Sequence, residues 1–297
     1  MSPTLTGPPP AKTSASVSWT TAAWVSALLL IAYAPVLLAL GRQWYDDADM
    51  SHGFFVPVVA GYIAWRKRDQ IADLTPRPDW WGLAIMIWGA LQLYIATLGV
   101  ELFLARTSFV ITLIGAVLFL GGRDYLRVFR FPLFLLFFMI PIPAVIYNQL
   151  TFRLQLIASR AAEDAISLLG IPVIREGNVL ELPDQKLNVV EACSGIRSLL
   201  TLSFFSLVYG YFAEKRNWVR IAVFLATIPI AILANAGRVT LTGVVSQIKP
   251  ELAEGFFHEA QGLVIFLAGL AMLIVTHQLI VRGQRLFAGR GKTLAAQ

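Results

Sequence analysis

Long apolar segments separated by short polar ones dominate the chain. Crossing a bilayer as a helix takes about 20 apolar residues, and eight segments are candidates for this: 20–40, 52–66, 80–100, 106–122, 131–150, 195–213, 219–237 and 259–280. Two of them are irregular, because 52–66 is short and contains Pro57, and 131–150 is interrupted by Pro141 and Pro143. We expect 52–66 to be re-entrant or strongly distorted, with neighbouring helices covering any freed backbone groups. The pattern predicts an all-α polytopic membrane protein with about eight transmembrane helices.

One connection, 151–194, is much longer than the others. Its first part, "TFRLQLIASRAAEDAISLLG", has apolar residues at helical spacing with charges between them, which predicts an amphipathic helix at the membrane surface ending at Gly170. Its second part alternates apolar and polar residues around "EGN", which predicts a small hairpin. The connection is therefore expected to form a small extracytoplasmic α/β region, and any chemistry is expected on its side of the membrane.

Composition supports the membrane class. The 297 residues are 57% hydrophobic and 14% charged, whereas a soluble domain carries about 25% charged residues. The single cysteine, Cys193, excludes an intrachain disulfide.

The charge distribution predicts the orientation. With the N-terminus in the cytoplasm and eight alternating spans, most of the 24 Lys and Arg residues fall on the inner side, as the positive-inside rule requires. We therefore expect a disordered cytoplasmic tail at 1–19, a transmembrane domain at 20–282 and a basic cytoplasmic tail at 283–297. The net charge of +6 then follows from topology, so no nucleic-acid partner is expected.

Three polar residues stand at the outer ends of predicted spans. Cys193 begins the sixth, Arg238 ends the seventh and His258 begins the eighth. Ionisable groups at such depth are functional candidates. Each also has a plain structural interpretation: a free cysteine as a small hydrophobe, an arginine that snorkels from a helix end, and a histidine in a surface loop. These interpretations do not explain why all three residues share one side of the membrane.

Together the three residue types suit acyl transfer. A cysteine attacks as thiolate, which a helix N-terminus and Arg197, four residues on, would favour. His258 could take the thiol proton and return it to a leaving amine. Arg238 would supply fixed donors for a developing oxyanion.

Other polar residues near these positions are weaker candidates. Glu191 could orient His258 or a peptide amide, and Asn235 stands one helical turn before Arg238 and could hold its guanidinium. A second polar group precedes the second span, and for it we favour a solvated loop over a metal site: Asp46, Asp47, Asp49 and His52. We expect no metal and no cofactor.

Four sequence blocks resemble the signature blocks of the exosortases. They are "MSHGFFVPVVAGYIAWRKR", "EACSGIRSL", "NAGRVTLTG" and "FHEAQGLVIF", in that order, and the resemblance covers roughly residues 20–282. Archaeosortases are similar but carry a second arginine where this chain has His258, so the bacterial branch fits better.

This resemblance implies a polytopic cysteine transpeptidase or endopeptidase of the bacterial inner membrane. Such enzymes cleave membrane-anchored substrates that end in a tripartite sorting signal, namely a short motif such as PEP, a transmembrane helix and a basic cluster. The family is linked to surface sorting and exopolysaccharide systems. By motif, Cys193 would be the nucleophile, with Arg238 and His258 completing the catalytic set. Some exosortases carry an additional C-terminal domain, whose activity would here come from another protein or be absent.

A transporter or structural subunit of a polysaccharide-export system is the alternative. It would explain the broken helices, but it predicts an internal repeat and polar residues near span centres. The sequence has no convincing repeat, and its polar candidates lie at outer span ends. Neither the sorting motif nor the acceptor, water or an amine, follows from the sequence.

Overall fold

The computed structural model describes residues 19–183, 185–189, 195–248 and 255–294, with the backbone alone at 19, 48, 195, 248, 255–260 and 286–294. The chain divides into two compact units, Met1–Pro141 and Ile142–Gln297. Both are helical, and the second also contains a small sheet. The elements confirm the predicted fold class, an all-α polytopic membrane protein with a small α/β region.

The described part of the first unit consists of helices joined by short turns. In chain order they are α1 (Trp19–Asp46), a 3₁₀-helix (Ala48–Phe54), α2 (Phe55–Arg66), α3 (Arg68–Ala72), α4 (Trp80–Leu98), α5 (Leu102–Gly121), α6 (Arg123–Leu135) and a second 3₁₀-helix (Leu136–Met139). Side chains cap the starts of two helices: Asp79 accepts the Trp81 amide at α4, and Glu101 accepts the Leu104 amide at α5.

Helices α4 and α5 pack closely because glycines line their contact. A Cβ on Gly82 would lie 2.2 Å from the Phe119 nitrogen, and one on Gly89 would lie 2.1 Å from Thr112 Oγ1. Small residues of this kind allow membrane helices to approach backbone to backbone. Tyr33 of α1 then hydrogen-bonds to Thr112 at 2.7 Å, which ties the first span to this pair.

The predicted second span is much shorter than a bilayer crossing. Helix α2 has 12 residues, which span about 18 Å, against about 30 Å of hydrocarbon. It begins at Phe55 because Pro57 then falls in the first helical turn, where its missing N–H costs nothing. The 3₁₀-helix before it packs tightly: Trp44 Nε1 donates to the Met139 carbonyl at 2.9 Å, and a Cβ on Gly53 would lie 2.4 Å from that same nitrogen.

The described part of the second unit contains four helices and a sheet. They are α7 (Ala144–Leu168), β1 (Ile174–Glu176), β2 (Val179–Glu181), β3 (Lys186–Asn188), α8 (Gly195–Ala213), α9 (Asn217–Ile248) and α10 (Gly255–Leu294). The predicted amphipathic helix ends where expected, with Gly170 just beyond it at φ 81°. It begins earlier than expected, at Ala144, because Pro143 stops the preceding segment and suits the residue before a helix.

The three strands form an antiparallel sheet in the order β1-β2-β3. Glu176 pairs with Val179 across the turn Gly177–Asn178, and Gly177 has the positive φ of 65° that such two-residue turns require. The predicted hairpin is thus confirmed, and β3 adds a strand that the sequence did not indicate. Leu180 and Leu182 are buried in one cluster with Ile166 of α7 and Val239 of α9.

Helix α9 extends past the predicted end of the seventh span. We expected Arg238 to end a span at 219–237, but α9 runs unbroken for 32 residues to Ile248. The residues after Arg238, "VTLTGVVSQI", continue to bury one face: Val239, Thr242 and Ser246 are all at most 2% exposed. Arg238 is therefore an interior residue of α9, and the candidate span Asn217–Gln247 extends beyond the predicted end at residue 237.

The number of spanning helices is also lower than predicted. Within the described residues, six helices are long and apolar enough to cross a membrane: Thr20–Asp46, Trp80–Leu98, Leu102–Gly121, Ile196–Ala213, Asn217–Gln247 and Gln261–Arg285. A seventh results if Arg123–Met139 and Ala144–Leu168, which are separated by the "PIP" break, count as one broken span. The predicted eight become seven because α2 is too short to count, and six if the broken pair is not a span.

Candidate active site

The guanidinium of Arg238 lies against the helix that carries His258. A Cβ placed on Gly262 would be 3.5 Å from Arg238 Cζ and from Nη2, so the guanidinium packs on the bare backbone of α10 at this glycine. Gly262 and His258 are four residues apart on α10 and so share a helix face, about 6 Å apart along the axis. The structure thus brings together Arg238 and one end of α10; the His258 side chain is outside the described residues.

A second contact fixes the same two helices next to Arg238. Thr242 Oγ1 donates a hydrogen bond to Gln261 Oε1 at 3.2 Å. Thr242 stands one turn after Arg238, and Gln261 directly precedes Gly262. Sequence reasoning did not single out these three residues, although they lie inside the blocks "NAGRVTLTG" and "FHEAQGLVIF". Their spacing from Arg238 and His258 was the available signal.

The supporting candidates Asn235 and Arg197 lie on α9 and α8, at positions compatible with their predicted roles. Asn235 is 4% exposed and stands three residues before Arg238 on α9, so the two share a face. Arg197 is half-buried in the first turn of α8. Their predicted contacts with Arg238 and Cys193 stay predictions.

The predicted nucleophile lies between two anchored segments. Cys193 and Glu191 are outside the described residues. On their N-terminal side, Val189 is fully buried in the cluster that contains Val239, the neighbour of Arg238 in sequence. On their C-terminal side, Ile196 in the first turn of α8 is 1% exposed. The chain therefore enters this segment from a strand packed against the helix of Arg238.

A second polar cluster lies farther along α10. His277 is 19 residues after His258, about 28 Å along the helix. Its Nδ1 is 2.8 Å from the Tyr209 hydroxyl, and its Nε2 is 3.6 Å from Glu214 Oε2. Glu214 follows α8, is 9% exposed and accepts the Arg216 amide and side chain, which lower its pKa to about 2. The sequence-based candidates did not include this cluster, because they were chosen at the outer ends of predicted spans.

The acidic group before α2 has a structural role. Asp47 caps the first 3₁₀-helix by accepting the Asp49 amide at 2.9 Å. His52 is 5% exposed, so the predicted solvated loop is wrong at this residue. Among the residues that the structure describes, no group of three or more His, Cys, Asp or Glu could hold a metal ion.

The spanning helices and the half-buried arginine at a helix–helix contact define a polytopic helical membrane protein with a polar site at one end of its helices. The chain belongs to the transmembrane exosortase family: the model "Transmembrane exosortase (Exosortase_EpsH)" matches residues 44–275, most of its length. This match contains Cys193, Arg238 and His258. Searches of curated proteins and of solved structures found no match.

Proposed function

We propose that the protein is a membrane-embedded cysteine transpeptidase or endopeptidase. Its substrates would be exported proteins with a C-terminal sorting signal of the PEP-CTERM type, made of a motif, an apolar helix and a basic cluster. The site would face the periplasm from the bacterial inner membrane, with both termini in the cytoplasm. Surface sorting and exopolysaccharide systems are the setting that the family implies.

One observation carries this proposal beyond family membership: the Arg238 guanidinium lies on Gly262, one turn from His258. An arginine that merely anchors a helix end would extend its guanidinium to water. Arg238 is half-buried, turned towards α10 and flanked by the buried Asn235. This placement suits a fixed donor beside a histidine, as acyl transfer requires.

The proposed reaction proceeds through a thioester. His258 takes the Cys193 proton, and the thiolate attacks the scissile carbonyl carbon while Arg238 stabilises the oxyanion. The C–N bond then breaks, and the proton passes from His258 to the leaving amine. Attack by water would complete proteolysis, and attack by an amine would complete transpeptidation.

The direct test is replacement of the only thiol. Cys193→Ala should leave the protein in the membrane but abolish cleavage of a sorting-signal substrate, and Cys193→Ser should be nearly as damaging because a hydroxyl is a weaker nucleophile. The measurement is the ratio of uncleaved to cleaved substrate per amount of enzyme, in cells without a homologue.

Ser206→Ala, on α8, is the matched control. Ser206 is 1% exposed, and within the described residues its Oγ has no hydrogen-bond partner, so its loss should leave cleavage unchanged. Full processing by Cys193→Ala would refute the proposed nucleophile. Equal losses in both variants would indicate damage to α8 rather than to the chemistry.

A further inference from the structure

A preformed cavity lies in the first unit, at the ends of two spanning helices. The turn before α4 is held to the end of α5 by two backbone hydrogen bonds, from Arg77 to the Gly121 carbonyl at 3.2 Å and from Asp79 to the Leu118 carbonyl at 3.4 Å. Gly122 has φ 84°, and a Cβ there would lie 2.0 Å from the Arg77 carbonyl oxygen. The chain segments that border the cavity are therefore fixed to each other.

The cavity has a volume of about 620 Å³ and a mostly charged lining. Its lining includes three arginines, Arg77, Arg123 and Arg127, against two aspartates, Asp79 and Asp124. The lining is therefore net positive.

The two aspartates occupy only part of the donors that the arginines offer. Arg123 Nε bonds Asp79 at 2.9 Å, and Arg127 Nη1 bonds Asp124 at 2.8 Å. A guanidinium has five N–H donors, so both arginines keep donors for another group. Within the described part of the chain, the exposed guanidinium of Arg77 has no hydrogen bond or ion pair.

The position of the cavity relative to the membrane indicates which ligand could bind in it. Helix α4 starts at Trp80 and α5 ends at Gly121, and both helices are spans, so the cavity lies at a membrane–water boundary. Trp80 and Trp81, also in its lining, are 76% and 70% exposed, as expected for an aromatic belt at headgroup level. A guanidinium group at this level can donate two parallel hydrogen bonds to the oxygens of a phosphate, a bidentate geometry.

We propose that this cavity binds the headgroup of an anionic phospholipid. Arg77, with the remaining donors of Arg123 and Arg127, would hold the phosphate, and the two tryptophans would pack beside the glycerol and upper acyl chains. The lipid is favoured over a soluble phosphate compound because the exposed indole faces belong to the bilayer interface. This site does not depend on the thiol chemistry proposed above.

The test measures lipid binding to the full-length protein in a neutral detergent. Native mass spectrometry with increasing phosphatidylglycerol gives the affinity of the bound lipid, and phosphatidylcholine is the zwitterionic comparison. Each arginine near a membrane surface contributes about five-fold in affinity for anionic lipid. Arg77→Gln should therefore weaken phosphatidylglycerol binding about five-fold and Arg77→Glu about 25-fold. Neither change removes a contact within the described residues, so thermal unfolding in detergent should match the wild type.

Arg130→Gln is the matched control. Arg130 is exposed on α6 and outside the cavity lining, so its change alters the net charge equally and should leave binding unchanged. Equal weakening in Arg130→Gln and Arg77→Gln, or equal binding of phosphatidylcholine, would overturn the proposal. Displacement of the lipid by millimolar inorganic phosphate would also overturn it and would indicate a soluble phosphate ligand instead.

Discussion

Arg238 could act as a helix anchor or as an oxyanion donor, and these two roles predict opposite effects of the same substitution. An anchor needs only a long stem and a positive head, so Arg238→Lys would then be almost silent. A clamp on an oxyanion needs a planar set of donors, which lysine does not reproduce. We predict that Arg238→Lys inserts normally and cleaves substrate about 100- to 1000-fold more slowly, the cost of one lost transition-state donor. The measurement is substrate cleavage per amount of membrane-inserted enzyme. Wild-type cleavage would return Arg238 to a structural role.

Gly262 tests whether the position of that guanidinium matters. The Cβ of Gly262→Ala would sit 3.5 Å from Arg238 Cζ, an ordinary contact distance, so this variant should keep most of its activity. The larger side chain of Gly262→Leu would occupy the space of the guanidinium and displace it. We predict a loss of about 100-fold or more for leucine, comparable to removing the donor. The pair is compared in the same cleavage assay at equal expression. Equal activity of both variants would contradict a role for this contact.

The candidate residues could be predicted only in part. Arg238 and His258 stand out because each is an ionisable residue beside an apolar segment, a pattern that the sequence displays directly. Gly262 and the hydrogen bond from Thr242 to Gln261 could not be predicted this way. Such contacts depend on the rotation and register of two helices, which packing against the rest of the unit determines.

At the scale of helices, Glu214 connects the end of α8 with α9 and α10. It accepts the Lys215 and Arg216 amides and lies 3.6 Å from His277 on α10. Its pKa is lowered from 4.5 to about 2, so its stabilising contribution is complete above about pH 4.5 and is lost as the pH falls towards 2. We predict that Glu214→Gln lowers the free energy of unfolding by about 1–3 kcal/mol near pH 6. The difference from wild type should shrink as the pH falls from about 4.5 towards 2.

Thermal unfolding of the detergent-solubilised protein at several pH values measures this effect. Asp69→Asn is the control, because the Asp69 side chain is 84% exposed and its ion pair with Arg68 should contribute little. A difference between wild type and Glu214→Gln that stays constant from pH 6 to pH 2.5 would contradict the role of the ionised carboxylate.

Local sequence signals predicted some elements well and others poorly. The hairpin was predictable because Gly177 supplies the conformation that a two-residue turn requires. The start of α7 and the length of α9 were not predictable, because a change in mean hydropathy along the chain does not mark where a helix begins or ends. The turns of α9 after Arg238 remain helical because one face packs on α7 and the sheet through Val239.

At the scale of the molecule, the orientation depends on α2. With six spans plus the broken pair as a seventh, the two termini would lie on opposite sides of the membrane. They lie on the same side if the short α2, together with the 3₁₀-helix before it, also crosses, or if neither α2 nor the broken pair crosses and six spans remain. We predict that reporters fused at the N-terminus and at Gln297 both report the cytoplasm, and that a reporter after Lys186 reports the periplasm. Opposite results for the two termini would contradict this orientation and would show that only one of α2 and the broken pair crosses the membrane.

The unbroken length of α9 has a consequence for substrate choice. Arg238 is 21 residues after the first residue of this helix, about 32 Å along its axis, which is close to the thickness of the hydrocarbon layer. In the proposed function, α9 would then cross the membrane perpendicular to its plane and fix the distance from the inner boundary to Arg238. A substrate whose basic cluster stays at the inner boundary would present its scissile bond at the height of Arg238 only if about 21 residues of helix lie between them. Substrates with shorter or longer apolar helices would be discriminated by length before any side chain is recognised.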